Sequence, residues 1–456
     1  MTELSGFGLG FVACCCIGML VLPRRLALVP LFATALFLPL NQGVLVGPYN
    51  FYAIRIVLAV GMLRLLLRGE RPAGGLQSID GWMFAMSAWT IASSLLRVDA
   101  STAFTYAAGS VFNALGTYLI FRAFIDSAEA VTATCRIVAW MLVPVAVEMV
   151  LEHATQRNYF SVLGGGVMVP AVREGGVRAQ GAFGHAILAG TVGAAFLPLC
   201  APLWRRFRAS AIVGVCACAA MVAACSSSGP LLSSLFAVIA LGTFGLRAHM
   251  RKVRYLLLAA YLALDLVMKV PAYYLLARID LAGGSTGWHR AALIQASLDH
   301  FGEWWVCGTD TTRHWMASGV GWSTHHTDIT NHYIALGVLG GLPLLLLFVA
   351  LLTRGFSLAG SAANRCDAAM VDAQPALAWA LGSALFVHAA SLVSVSYFDQ
   401  SFVMLYFVLA CIAVSCRAVA DDSATLLDPP RARDASPGDG DTAGTAIGTL
   451  NGLRPQ

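Results

Sequence analysis

The chain's 456 residues are 58% apolar and only 12% charged, with a formal net charge of +5 and a mean hydropathy of +0.73. That balance excludes a soluble domain folded around one core, and a membrane β-barrel is excluded by runs that stay apolar for about 20 residues instead of alternating over about 10. The sequence reads as an all-α, polytopic membrane protein.

Windows of about 19 residues predict about 12 to 13 transmembrane helices, at 5–22, 27–46, 51–67, 81–96, 103–121, 132–151, 183–203, 209–225, 228–246, 255–275, 332–352, 375–395 and 401–416. The first begins almost at Met1 with no basic region ahead of it, and reads as a retained helix rather than a cleaved signal. Arg24-Arg25, Arg68, Arg71, Arg122, Arg205-Arg206, Arg208, the basic run 247–254, Arg354 and Arg417 fall on alternate junctions, which the positive-inside bias places in the cytoplasm. The opposite face then carries two large loops, 152–182 and 276–331, the second with short amphipathic helices. With thirteen spans the N-terminus is outside and the C-terminus inside. The membrane domain runs over 1–419, and the Asp-, Pro-, Gly- and Thr-rich segment 420–456, without aromatic residues, reads as a disordered cytoplasmic tail. No internal repeat is visible, and polar groups concentrate in the outer loops rather than at mid-membrane, which argues against a secondary transporter.

Most of the 12 cysteines lie in or beside spans, where they pack as small apolar residues, and Cys307 stands alone in the second outer loop. His325, His326 and His332 lack the His-x-x-x-His pair with a supporting acid of a zinc helix, so no metal ligand and no cofactor is assigned. Basic charge comes from 27 arginines and two lysines. Arg97, Arg157, Arg173, Arg178, Arg278, Arg290 and Arg313 lie outside, against the bias that places the others. Guanidinium suits bidentate phosphate recognition and stays charged near a bilayer, and no nucleic-acid partner is expected. Arg178 follows Gly175-Gly176 and precedes a span; Arg290 follows Gly287-Trp288-His289 and opens a short amphipathic helix. Arg55, near the outer end of the third span, is a further candidate for the same anion, whereas Arg64 snorkels inward. Glu148 and Asp265, in or near spans, are candidate partners for buried arginine.

The order of these segments resembles the O-antigen ligase and polymerase superfamily. An Arg-x-x-Gly-x-Phe segment (Arg178 to Phe183) precedes a span, a Ser-Ser-Gly-Pro turn follows at 227–230, Gly-x-x-Arg (Gly287 to Arg290) opens the large loop, and a His-led segment closes it. The resemblance covers roughly residues 170–350. At the loop's end His326, Thr327, the nine residues 328–336 and Gly337-Val338-Leu339-Gly340 reproduce a ligase spacing, with Thr327 where Asn, Ser or Gln is usual and Ser-Ser-Gly where Ser-Arg-Gly is usual. Asp328-Ile329-Thr330-Asn331-His332-Tyr333 and Gly340-Gly341 look more like exopolysaccharide polymerases of the same superfamily.

The resemblance implies a multi-pass glycosyltransferase of the bacterial cytoplasmic membrane acting on an undecaprenyl-diphosphate-linked glycan and membrane lipid, alongside a flippase and a chain-length regulator. It polymerises repeat units or, alternatively, ligates the glycan to lipid A core or to protein. Such transfer needs partial deprotonation of a sugar hydroxyl and compensation of charge on the departing diphosphate. His326 or Asp328 can serve as base, with Arg178 and Arg290 on the diphosphate. His185, His289, Asn331, His332 and Tyr333 are candidate substrate contacts. Trp305, among the tryptophans Trp288, Trp304, Trp315 and Trp322, is a candidate for stacking on a sugar.

Overall fold

The computed structural model describes residues 4–47, 49–278, 281, 287–321, 323–364 and 373–415. The expected tail at 420–456 and the glycine-rich stretch 282–286 lie outside them. Among the described residues four helices, Ala128–Thr155, Ala186–Leu203, Ser228–Val267 and His332–Asn364, have the length and apolarity to cross a membrane. At about 1.5 Å per residue, the shortest, of 18 residues, reaches about 27 Å, close to a hydrocarbon layer of about 30 Å, and the longer ones cross it with some tilt. Shorter apolar helices at Gly6–Val21, Arg208–Ala224, Pro375–Ser391 and Phe402–Ser415 accompany them. The protein is mostly helical, and the strands among the described residues form three two-stranded antiparallel hairpins.

Helix boundaries follow local chemistry. Ser127 caps the helix Ala128–Thr155 by accepting from Ala130 N at 3.2 Å, and the helix ends where Gln156 turns left-handed at φ 56°. The segment 27–46, expected as one span, does not run as one helix. Its helix is Val29–Phe37, after which Gly43–Val46 pairs with Tyr49–Tyr52 in a hairpin. Pro39 disfavours helix at the residue before it, and the β-branched and aromatic residues Val44, Val46, Phe51 and Tyr52 favour the extended form. The expected span 103–121 is likewise interrupted, by a π-helical turn at Phe112–Gly116 between Ala100–Val111 and Thr117–Phe124.

The core centres on Phe402–Ser415. This helix is buried on all its faces from Val403 to Val414, as an all-apolar helix must be once it is surrounded by others. Phe407 meets Phe32 and Phe121 with each pair of ring centroids 5.3 Å apart. Arg122 and Asp80 pair nearby at 2.9 Å, both fully buried. Tyr118 Oη also donates to Asp80, Arg122 donates to Gly75 O at 3.1 Å, and Asp80 accepts from Gln77 N at 2.7 Å. Such a pair is tolerated because its remaining donors and acceptors are filled.

Removing one partner strands the other charge. Asp80→Ala is expected to lower stability by about 3–5 kcal/mol, read as an early thermal unfolding of the detergent-solubilised protein, with much of the loss recovered when Arg122→Met is added. An Asp80→Ala protein that unfolds at the wild-type temperature would contradict this.

Candidate functional site

The first long loop is held by carboxylates of the helix that precedes it. Glu148 accepts from Tyr159 N at 2.9 Å, and Glu152, one turn on, accepts from Gln180 N at 3.0 Å and Gly181 N at 2.8 Å. Asp265 in the same way accepts from Ala272 N at 2.7 Å. These acids organise backbone, which corrects the expectation that Glu148 and Asp265 partner buried arginine.

Between the loop's anchors, Ala171–Arg173 pairs with Gly176–Arg178 through a tight turn in which Glu174 and Gly175 have φ of 48° and 79°. Both angles are positive, as a type I′ turn requires. Arg178 at the end of the second strand is buried, 5% exposed. It donates to Ser227 Oγ at 3.2 Å, and its Nε has no hydrogen-bond partner among the described residues. Burial pushes its guanidinium below the ordinary value, and Arg173 and Arg290 push it the same way.

Arg290 lies in the helix Gly287–Asp299, where Gly287 is required because a Cβ there would stand 2.2 Å from Leu276 O. It is buried, and its Nε donates to Ser394 O at 3.1 Å. Burial first, then Arg173, lowers its affinity for a proton. Neither Arg178 nor Arg290 forms an ion pair with a carboxylate among the described residues. Ser227, which Arg178 touches, stands at the N-terminus of the helix Ser228–Gly242, whose positive dipole end favours an anion. His185 sits within electrostatic reach of Arg178 and Arg173, and its Nδ1 accepts from Ile187 N at 3.1 Å. The sequence-expected residues Arg178, Arg290 and His185 therefore share one positive field with Arg173.

Arg55 is engaged elsewhere. It donates to Asn113 Oδ1 at 2.9 Å, in the π-helical turn, and to Asn50 O at 2.7 Å, and its guanidinium passes so close to Gly109 that a Cβ there would meet it at 2.8 Å.

His326 is half-buried on the strand Ser323–Thr327. Thr312 clasps that strand, donating its N–H to His325 O at 2.8 Å and accepting from Thr327 N at 3.1 Å. Burial, His325 and Arg97 push the His326 imidazole below its usual value, while Asp310 opposes them. Asp310 pairs with Arg97 at 3.2 Å, so the carboxylate acting on His326 is Asp310. Asp328 has an exposed side chain, and its carbonyl accepts from His289 Nε2 at 3.0 Å.

Three expected substrate contacts are anchors. Asn331 Oδ1 accepts from Tyr333 N at 2.9 Å and Ile334 N at 3.2 Å, capping the helix His332–Asn364. His332 Nδ1 lies 3.2 Å from Ser396 Oγ, and Tyr333 Oη donates to Ala389 O at 2.9 Å. Trp304 and Trp315 are buried in a cluster with Leu293 and Ile334, whereas Trp288 and Trp305 are at least half exposed. Trp322 lies outside the described residues.

The Gly337-x-x-Gly340-Gly341 pattern has a packing cause. A Cβ on Gly337 would stand 2.7 Å from the Trp304 ring, and one on Gly341 would stand 2.3 Å from Val306 O, at a φ of 75°. Gly340 and Gly341 break the helix, and the loop crosses at the break: Leu342 N donates to Trp305 O at 2.8 Å, and Thr309 N and Arg97 Nη2 both donate to Val338 O.

No known family profile matches the chain, and no curated protein matches it. Gly341→Ala combines a left-handed backbone with a backbone clash, so a loss of more than about 1–3 kcal/mol is expected. It should appear as protease sensitivity across 305–331, and a variant as resistant as wild type would contradict this account of the break.

Proposed function

We propose that the protein is a multi-pass glycosyltransferase of the bacterial cytoplasmic membrane. It polymerises undecaprenyl-diphosphate-linked oligosaccharide repeat units of an exopolysaccharide or O-antigen on the outer side, working with a flippase and a chain-length regulator. Its two long loops face outward on this reading. The observation that carries it is the pair Arg178, which donates to Ser227 at the N-terminus of Ser228–Gly242, and Arg290, both buried and neither with a carboxylate partner among the described residues. Two fixed guanidinium groups are the chemistry that binds a diphosphate, each charge-assisted contact contributing about 1.5–3 kcal/mol.

In the reaction the acceptor sugar hydroxyl gives its proton to His326 as its oxygen bonds the anomeric carbon, and the bond from that carbon to the phosphate oxygen breaks. The departing diphosphate takes the electron pair and is neutralised by Arg178 and Arg290 without a metal ion. An imidazole held below its usual value is neutral, and so basic, at physiological pH. Asp328, exposed and close in sequence, is the alternative base. The spacing from His326 to Gly337 and Gly340 favours a second reading, ligation of the glycan to lipid A core.

Purified protein given lipid-linked repeat units separates these: a ladder marks polymerisation, whereas single transfer to lipid A core marks ligation. Arg178→Ala and Arg290→Ala should each abolish transfer while the protein still inserts, and Lys at either place should rescue poorly because it lacks the bidentate fork. Full activity in both Ala variants would overturn the reading. His326→Ala should slow transfer roughly 10²- to 10⁴-fold with donor binding retained. A base with a lowered pKa stays active into mild acid, so the acid limb of the wild-type pH profile should have its midpoint below 6.5. Loss of that limb in Asp328→Asn rather than in His326→Ala would make the carboxylate the base.

A further inference from the structure

A cluster apart from the arginines brings three possible metal ligands together. His300 Nδ1 donates to Glu303 Oε1 at 2.7 Å, and His314 Nε2 donates to Glu303 Oε2 at 2.9 Å. The three ligand atoms all lie within 4.8 Å of one another. They come from two places in the chain: His300 and Glu303 flank the start of the short helix Phe301–Trp304, and His314 lies in the turn Arg313–Trp315.

Their orientation is set by packing. Trp315 is buried, its indole N–H donates to Glu303 Oε2 at 3.0 Å, and the His300 ring stacks flat on it at 5.8 Å and 6°. Buried neighbours that fix a carboxylate and an imidazole in this way are what a metal site needs around its ligands. The ligands themselves are partly exposed, which leaves an entry path and a position for water.

We propose that His300, Glu303 and His314 bind one divalent cation of the zinc class, through two imidazole nitrogens and one carboxylate oxygen, with water in the fourth position. Bonds of about 2.0–2.2 Å in a tetrahedron put ligand atoms about 3.3 Å apart. The His–Glu contact to the oxygen that binds the cation must therefore open by roughly half an ångström, and the remaining ligand atoms, which lie within 4.8 Å of one another, must close, both within reach of side-chain rotation. When the cation binds, the protons that His300 Nδ1 and His314 Nε2 donate to Glu303 leave those atoms, for the other ring nitrogen or for solvent. The cation then ties the segment 300–303 to the turn that follows Thr312, the residue that clasps the His326 strand. It braces that strand, and the assignment stands whether or not the transfer reading does.

Full-length protein in nanodiscs, stripped with chelator, is titrated with Co²⁺ and then Zn²⁺. The expected result is one cobalt per chain with the visible bands of four-coordinate Co²⁺, displaced by zinc, and zinc-dependent protection of 305–331 from protease. His300→Ala and His314→Ala should each weaken binding by more than the roughly 10- to 100-fold that loss of an outer-shell partner costs, while His325→Ala leaves it unchanged. His314→Cys should keep the ion and add a thiolate-to-cobalt charge-transfer band, a signal that a misfolded variant cannot give. Absence of saturable cobalt bands in wild type, or wild-type affinity in His300→Ala and His314→Ala, would overturn the assignment.

Discussion

Arg178 and Arg290 are buried in the same positive field, and no carboxylate among the described residues pairs with either. A buried ion left uncompensated costs several kcal/mol, so the surrounding fold has to hold these groups in place against their own repulsion. It does so with uncharged oxygens, Ser227 Oγ for Arg178 and the Ser394 carbonyl for Arg290. Glu148 and Glu152 stand close in sequence to the arginine hairpin, yet their oxygens accept from Tyr159, Gln180 and Gly181 N–H groups. Among the described residues neither acid pairs with Arg178 or Arg290. An anion reaching Arg178 and Arg290 gains charge-assisted bonds without first breaking an ion pair to a carboxylate among the described residues, which is the physical basis of the proposed diphosphate site.

A second constraint is close backbone approach at 337–341. The loop reaches the helix His332–Asn364 because Gly337 and Gly341 carry no side chain where Trp304 and Val306 lie. From that crossing the chain runs through Asp310, paired with Arg97, to Thr312, which clasps the His326 strand, while His289 of the Arg290 helix holds the Asp328 carbonyl just past that strand's C-terminal end. His289 adjoins Arg290, so a shift of that helix moves both a diphosphate ligand and the support of the proposed base. The two halves of the proposed chemistry are mechanically linked.

Much of the helical class was legible, because continuous apolar runs have one structural solution in lipid, and four such helices are long enough to cross. The interruption of 27–46 was not, since hydropathy windows average over Pro39 and the extended preference of Val44 and Val46. Arg178 and Arg290 stood out by opposing the charge bias. Asn331, His332 and Tyr333 suggested ligands by type, but a polar residue at a helix start is as readily a cap, and only coordinates show what its oxygen accepts. Asp310 and the grouping of His314 with His300 and Glu303 depend on how a loop folds over 11 to 16 residues, which no local spacing encodes.

The most direct measurement is a structure of the protein in nanodiscs with undecaprenyl diphosphate bound. On this account the diphosphate lies within hydrogen-bond distance of the guanidinium groups of both Arg178 and Arg290, beside the N-terminus of Ser228–Gly242. A diphosphate held at Arg55, or one bound with neither Arg178 nor Arg290 in contact, would contradict it.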